Sequence, residues 1–288
     1  MTKKEIKVTE CPRDAMQGIT EFIDTDKKAD YINLLLKVGF DKIDFGSFVS
    51  PKAVPQMKDT AEVIKKLDLN DSKSKLLAIV ANERGASDAS QFSEIDYLGF
   101  PFSISETFQK RNTNSTIEES ISRVESIQNL CNKSGKKLII YLSMAFGNPY
   151  GDKYHPDIAA KWVEKLLEFE IETIALSDTV GSSNAKSIHS LFSLMKKEFK
   201  ATEFTAHLHT TPDDWIDKVD AALDSGCRSF DSAIKGYGGC PMAKDELTGN
   251  LATENLINFL EKRHYHHNIH HEIFNSALIK SSDIFQHR

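Results

Sequence analysis

Lys75–Ala81 reads KLLAIVA, six apolar residues behind one lysine. A strand with one wet face alternates apolar and polar residues. This one does not, so it must be covered on both faces, as a parallel strand between helices is. Working outward, a second such run lies at Lys137–Met144 (KLIIYLSM). Strands are also predicted at Glu5–Cys11, Lys42–Phe48, Glu94–Pro101, Thr173–Asp178, Glu203–His209 and Arg228–Ile234. Longer amphipathic stretches separate them. Lys27–Val38 puts Tyr31, Leu34, Leu35 and Val38 on one helical face, with Gly39 placed to end the helix. Further helices are predicted near Pro55–Leu67, Thr116–Asn132, beyond Pro156, and near Asn184–Glu198 and Asp213–Asp224. Ser115 or Thr116 is the expected cap of the Thr116–Asn132 helix, with Glu118 or Glu119 as its partner. Eight strand–helix units in succession fit an α/β fold of the (β/α)8 TIM-barrel type better than the rival doubly wound sheet. The expected organisation is one catalytic domain over residues 1–288, with the barrel at about 5–250 and a short helical tail at about 251–288.

Composition narrows the function. The chain has 288 residues, a formal net charge of -6 and 40% hydrophobic residues, with no basic stripe. Nucleic acid is therefore not an expected partner. No stretch approaches the ~20 apolar residues that span a bilayer, so no membrane partner is expected. The four cysteines, Cys11, Cys131, Cys227 and Cys240, are widely spaced and form no CxxC pair, which suits a reduced setting. Cys131 and Cys227 read as small buried residues. The N-terminus carries no apolar or Arg/Ser-rich targeting pattern, so a cytoplasmic location is expected.

In a TIM barrel the chemistry gathers at the C-terminal ends of the strands. Ionisable or polar residues fall there at Arg13 and Asp14, Asp44 and Ser47, Glu106, Asp178 and Thr179, His207 and His209, and in the segment from Lys235 to Cys240. On one strand, His207 and His209 share a face. They are either two ligands for a divalent metal, with Asp14 supplying an oxygen, or two histidines without an ion. Arg13–Asp14 reads either as site chemistry or as a strand-end ion pair. Asp178 reads equally as a catalytic or a structural acid. Cys240, within Gly236–Pro241, is a proton donor or nucleophile, or the thiol of a tight turn. The run Arg263–His271 is either a metal-binding cluster or, the favoured reading, a solvated loop before a last helix.

Seven segments in order resemble the HMG-CoA lyase family. They are Cys11–Gln17 (CPRDAMQ), Ser47–Met57 (SFVSPKAVPQM), Ser105–Ser120, Ser177–Gly181 (SDTVG), His207–His209 (HLH), Gly238–Pro241 (GGCP) and Gly249–Glu254 (GNLATE). The resemblance implies a divalent-metal-dependent carbon–carbon lyase that cleaves 3-hydroxy-3-methylglutaryl-CoA to acetyl-CoA and acetoacetate. The alternatives are a lyase acting on another 3-hydroxyacyl-CoA, or a condensing enzyme of the same superfamily. It further implies metal ligands Asp14, His207, His209 and Asn250, the last also a candidate cap for the helix at Leu251–Leu260. Arg13 is expected on the thioester oxygen and Cys240 on the covering loop. Catalytic roles are expected for Arg13, Asp14, Asp44, Asp178, His207 and Cys240, and substrate contacts for Arg13, Gln17, Ser47 and Thr179. The implied cofactor is Mg2+ or Mn2+, with Zn2+ a third option. The implied partner is an acyl-CoA, and the implied assembly a homodimer. Four positions depart from the family pattern: Cys11 and Ala15 replace glycines, Asp44 replaces a glutamate, and Thr210 replaces an aspartate.

Overall fold

The computed structural model describes residues 5–239 and 248–285. Cys240 and Pro241 lie outside the described residues. Among the described residues, ten strands occur in chain order: β1 (Lys7–Glu10), β2 (Lys42–Ser47), β3 (Lys75–Ile79), β4 (Ile95–Ser103), β5 (Lys137–Ser143), β6 (Thr173–Ser177), β7 (Glu203–His207), β8 (His209–Thr210), β9 (Ser229–Ser232) and β10 (Gly249–Asn250). Strands β1 to β7 and β9 close into a parallel barrel, with β9 pairing both β7 and β1. The fold is a (β/α)8 TIM barrel.

The double coverage predicted for KLLAIVA is what the side chains do. Leu76, Ala78 and Val80 join the large layer between strands and helices. Leu77 and Ile79 turn inward, where they meet Ile139, Tyr141 and Ala175 in a separate cluster inside the barrel. Both faces are dry, so alternation disappears from the sequence.

The helix Ile117–Ser134 starts at Thr116, not Ser115. The Thr116 hydroxyl accepts from Glu119 N at 3.1 Å while the Glu119 carboxylate accepts from Thr116 N at 2.8 Å. The helix expected at Pro55–Leu67 is broken into a 3-10 turn, Pro55–Met57, and a short helix, Thr60–Ile64. The Thr60 hydroxyl donates to the Met57 carbonyl at 2.8 Å and accepts from Ser47 N at 3.1 Å, tying the backbone in a non-helical corner. Gly39 does not end the preceding helix, which spans Thr25–Leu35. It turns the chain into β2 at a φ of 97°. Helices Glu83–Ser90 and Glu106–Thr113 had no predicted counterpart. The buried face of the first is Gly85, Ala86 and Ala89, with none of the large aliphatic residues by which the other helices were read.

The seventh strand differs in a way that matters for function. It stops at His207, and the chain resumes as β8, which pairs antiparallel with β10 so that His209 faces Asn250 across the ladder. Helices Thr253–Lys262 and His271–Ile284 follow. Tyr31 and Phe285 meet edge-on at 6.2 Å and Phe40 and Phe274 at 6.4 Å, holding the last helix against Thr25–Leu35. No helix among the described residues is long and apolar enough to cross a membrane.

Candidate active site and metal centre

β1 delivers the chain into a six-residue helix, Pro12–Gln17, whose first position is proline. Arg13, Asp14 and Gln17 stand on it above the barrel mouth. Oxygen and nitrogen donors of Asp14, His207 and His209 all lie within 4.8 Å of one another. Asn250 joins them because β10 is laid on β8. Its amide donates to the Asp14 carboxylate at 2.6 Å and to the Tyr237 carbonyl at 2.8 Å. Asn250 therefore does not cap a helix; the helix begins at Thr253, after Ala252.

The electrostatics suit a cation. Burial favours a neutral Asp14, but Arg13, His207 and His209 and the Asn250 bond outweigh it and hold the carboxyl below its usual range. Burial, reinforced by His207, pulls His209 down to about 4. Its Nδ1 is buried and has no hydrogen-bond partner among the described residues. A neutral imidazole with an orphaned nitrogen beside a carboxylate is a ligand in waiting. Burial pulls His207 down too, but the hydrogen bond and charge of Asp231 overcome it and raise the group. Asp231 meets His207 Nδ1 at 3.1 Å and Tyr141 packs edge-on at 5.5 Å, which together set the ring's orientation. Asp14, His207 and His209 thus form a group able to hold a divalent cation, with the Asn250 amide beside them.

Arg13 is the site's permanent cation. The residue is only 8% exposed. It grips Asp44 at 2.6, 3.0 and 3.2 Å, reaches Asp14 at 3.3 Å, and donates to Gln17 at 2.8 Å. These acids raise it further above its usual value despite burial. A cavity of about 460 Å³ opens over this group; Arg13, Asp14, Gln17, Thr179 and His207 line it, against an apolar wall that includes Val49, Ile79 and Phe108.

Three expected site residues are placed elsewhere. Asp44 does not line the cavity. It is 1% exposed and clamps Arg13 from below, its carboxyl pushed up to about 6 by burial against the pull of that guanidinium. Ser47 is turned into the scaffold, its hydroxyl accepting from Val49 N at 3.1 Å. Asp178 accepts from Ser183 N at 3.0 Å and from Ser183 Oγ and Lys218 Nζ at 2.5 and 3.1 Å. Each is hydrogen-bonded within its own surroundings, and none of the three lines the cavity. Cys240 lies outside the described residues.

Two functional neighbours escaped the sequence reading. Asp231 stood in plain view as the one acid in the predicted strand Arg228–Ile234, and that isolation was its signal. Lys218 gave none, since a lysine on an amphipathic helix reads as solvated. Yet it is 1% exposed, and its ammonium ties Asp178 to the His209 carbonyl at 2.8 Å and to Asp214 at 3.0 Å. It thereby braces the backbone that carries His209.

With this geometry in hand, the chain was compared with known proteins. The sequence model of the HMGL-like family matches residues 6–279. Hydroxymethylglutaryl-CoA lyase YngG of Bacillus subtilis is 31% identical over 260 residues, covering 90% of this chain and 86% of that protein. Hydroxymethylglutaryl-CoA lyase of Pseudomonas mevalonii is 33% identical over 256 residues, covering 88% and 84%. Among solved structures, the HMG-CoA lyase of Brucella melitensis superimposes with a TM-score of 0.91 at 28% identity, covering 98% of this chain and 99% of that one. An HMG-CoA lyase from A. baumannii, in complex with coenzyme A and 3-methylmalate, gives 0.91 at 29% identity, covering 100% and 93%. Matched along almost its entire length by the family model and by relatives above 30% identity, this chain belongs to the HMGL-like family.

Proposed function

We propose that this protein is a divalent-metal-dependent lyase that cleaves 3-hydroxy-3-methylglutaryl-CoA to acetyl-CoA and acetoacetate. The observation that carries the reading is the meeting of Asp14, His207 and His209 beside the Arg13 guanidinium in one cavity. The reaction breaks the C–C bond between the thioester α-carbon and the carbinol carbon. The hydroxyl gives up a proton, the bonding pair passes to the thioester as an enolate, and the enolate carbon takes a proton. A divalent cation held by Asp14, His207, His209 and Asn250 would acidify the hydroxyl and fix its orientation; Mg2+ and Mn2+ are the proposed ions.

The chain's own groups supply the rest. Arg13 carries a fixed positive charge where the enolate oxygen develops, and Asp44 and Gln17 keep its fork aimed. Asp231 holds one nitrogen of His207 and so aims the other at the cation, and the Asp14 carboxylate is the proposed acceptor of the hydroxyl proton. Cys240 is the proposed proton donor to the enolate carbon. The acyl-CoA partner is supported by the coenzyme A bound in the A. baumannii relative. A cytoplasmic homodimer completes the proposal, and light scattering on the purified protein reads the assembly.

The test is release of acetyl-CoA from 3-hydroxy-3-methylglutaryl-CoA with Mg2+ or Mn2+. Activity is expected to vanish with EDTA. Arg13→Met should lower kcat by at least about 10²-fold, about 3 kcal/mol of transition-state stabilisation. Cleavage that survives both treatments would overturn the reading. Faster turnover of a different 3-hydroxyacyl-CoA would reassign the substrate and leave the chemistry standing.

A further inference from the structure

The histidine-rich run after the helix Thr253–Lys262 is not the featureless loop its composition suggests. The segment from Tyr265 to His270 is clamped against the barrel wall opposite the cavity. Ile6 N donates to the His266 carbonyl at 2.8 Å and His270 N to the Val38 carbonyl at 2.7 Å. The Asn268 amide donates to Glu5 at 3.0 Å, and Ile269 is buried. The Asn268 carbonyl also presses on Gly39, where an added Cβ would stand 2.2 Å from it. The backbone that carries these histidines is therefore fixed.

From this platform His267 turns its ring to Glu261, in the last turn of one helix, and to His271, the first residue of the next. Glu261 Oε1 lies 3.4 Å from His267 Nε2 and 2.7 Å from His271 Nε2. The donor atoms of all three residues fall within 4.8 Å of one another, and the two rings are 6.0 Å apart. The His267 side chain is only 6% exposed. Among the described residues, Glu261 ion-pairs with these two imidazoles alone, while the neighbouring Arg263 is taken up by Asp220 and Asp224 at 2.6 and 3.4 Å.

We propose that Glu261, His267 and His271 form a second metal site, separate from the catalytic one, that takes a borderline divalent transition metal of the zinc type. Two imidazole nitrogens and one carboxylate oxygen match that class, and a water completes a tetrahedron. Nitrogen and oxygen ligands bound at about 2.0–2.2 Å stand about 3.3–3.6 Å apart in such a tetrahedron, which the His267–Glu261 pair at 3.4 Å already matches and the His271–Glu261 pair at 2.7 Å must widen to reach. Coordination through His267 Nε2 moves that ring's proton to Nδ1 and gives up its long 3.3 Å contact with Ile269 N. The ion pins the end of one tail helix to the start of the next. The site does not depend on the proposed lyase reaction.

The experiment titrates the full-length, chelator-stripped protein with ZnCl2 by calorimetry and equilibrium dialysis. The wild type and Asp14→Asn are compared with His267→Ala, His271→Ala and Glu261→Gln. One zinc that survives Asp14→Asn is expected, weakened at least about tenfold by each tail substitution. Saturating zinc should raise Tm by about 5 °C in Asp14→Asn and by much less once His271→Ala is added. Zinc binding that is unchanged in His267→Ala and His271→Ala, or abolished entirely by Asp14→Asn, overturns the proposal. The three tail residues lie away from the cavity, so their variants should keep the wild-type rate of 3-hydroxy-3-methylglutaryl-CoA cleavage measured with Mg2+.

Discussion

Asp231 makes a single contact with the site, through His207 Nδ1, and that contact decides which nitrogen of the ring faces the cavity. Asp231→Asn should lower metal affinity or kcat by about 10–100-fold with little change in fold, a split that metal titration and thermal melting read separately. Glu10 poses a different problem. It is buried beneath the tail, accepting from Thr253 Oγ1 at 2.6 Å and Ile234 N at 2.8 Å. Burial pushes its carboxyl up to about 8, with those bonds opposing. The folded state therefore binds a proton that the unfolded chain has released between its ordinary value near 4.5 and 8. Stability falls as pH rises across that window, by at most about 1.4 kcal/mol per pH unit from this group. Glu10→Gln should flatten that decline, as urea melts between pH 5 and 8 would record. At this scale the site was partly legible. The spacing of His207 and His209 announced a pair, and the two rings do meet at the barrel mouth with Leu208 turned into the core between them, although the strand breaks there.

Element by element, the barrel was readable where a buried parallel strand writes its double coverage into an unbroken apolar run, as at Leu76–Ala81 and Leu138–Leu142. What escaped was anything whose cause lies outside its own segment. The break at Leu208 exists because β10 arrives from 40 residues later to pair with β8. The loop Gly236–Gly239 shows the same dependence. Gly238 has a φ of 94°, and a Cβ there would stand 2.5 Å from Asn250 Nδ2 and 2.9 Å from the Asp14 carbonyl. Gly238→Ala should weaken metal binding at least about tenfold, while the left-handed backbone itself costs only about 1–2 kcal/mol. Equal losses in stability and affinity would show that the loop fails as a whole rather than at the ligands.

The molecule as a whole closes on its own tail. Phe285, 5% exposed, packs on Tyr31 and, at a centroid distance of 4.6 Å, on Tyr237, whose carbonyl holds Asn250. Phe285→Ala should cost about 3 kcal/mol, read as a fall in Tm, and should loosen the loop that leads to the cavity. The bond from Asn250 to Asp14 spans 236 residues, and this distance sets an order of events. A chain emerging from the ribosome presents Asp14 early and the two imidazoles much later, and the Asn250 amide comes about 40 residues after those. No truncated product that stops short of that amide can assemble the full ligand set. Ion capture by all four groups therefore requires a chain made at least as far as Asn250.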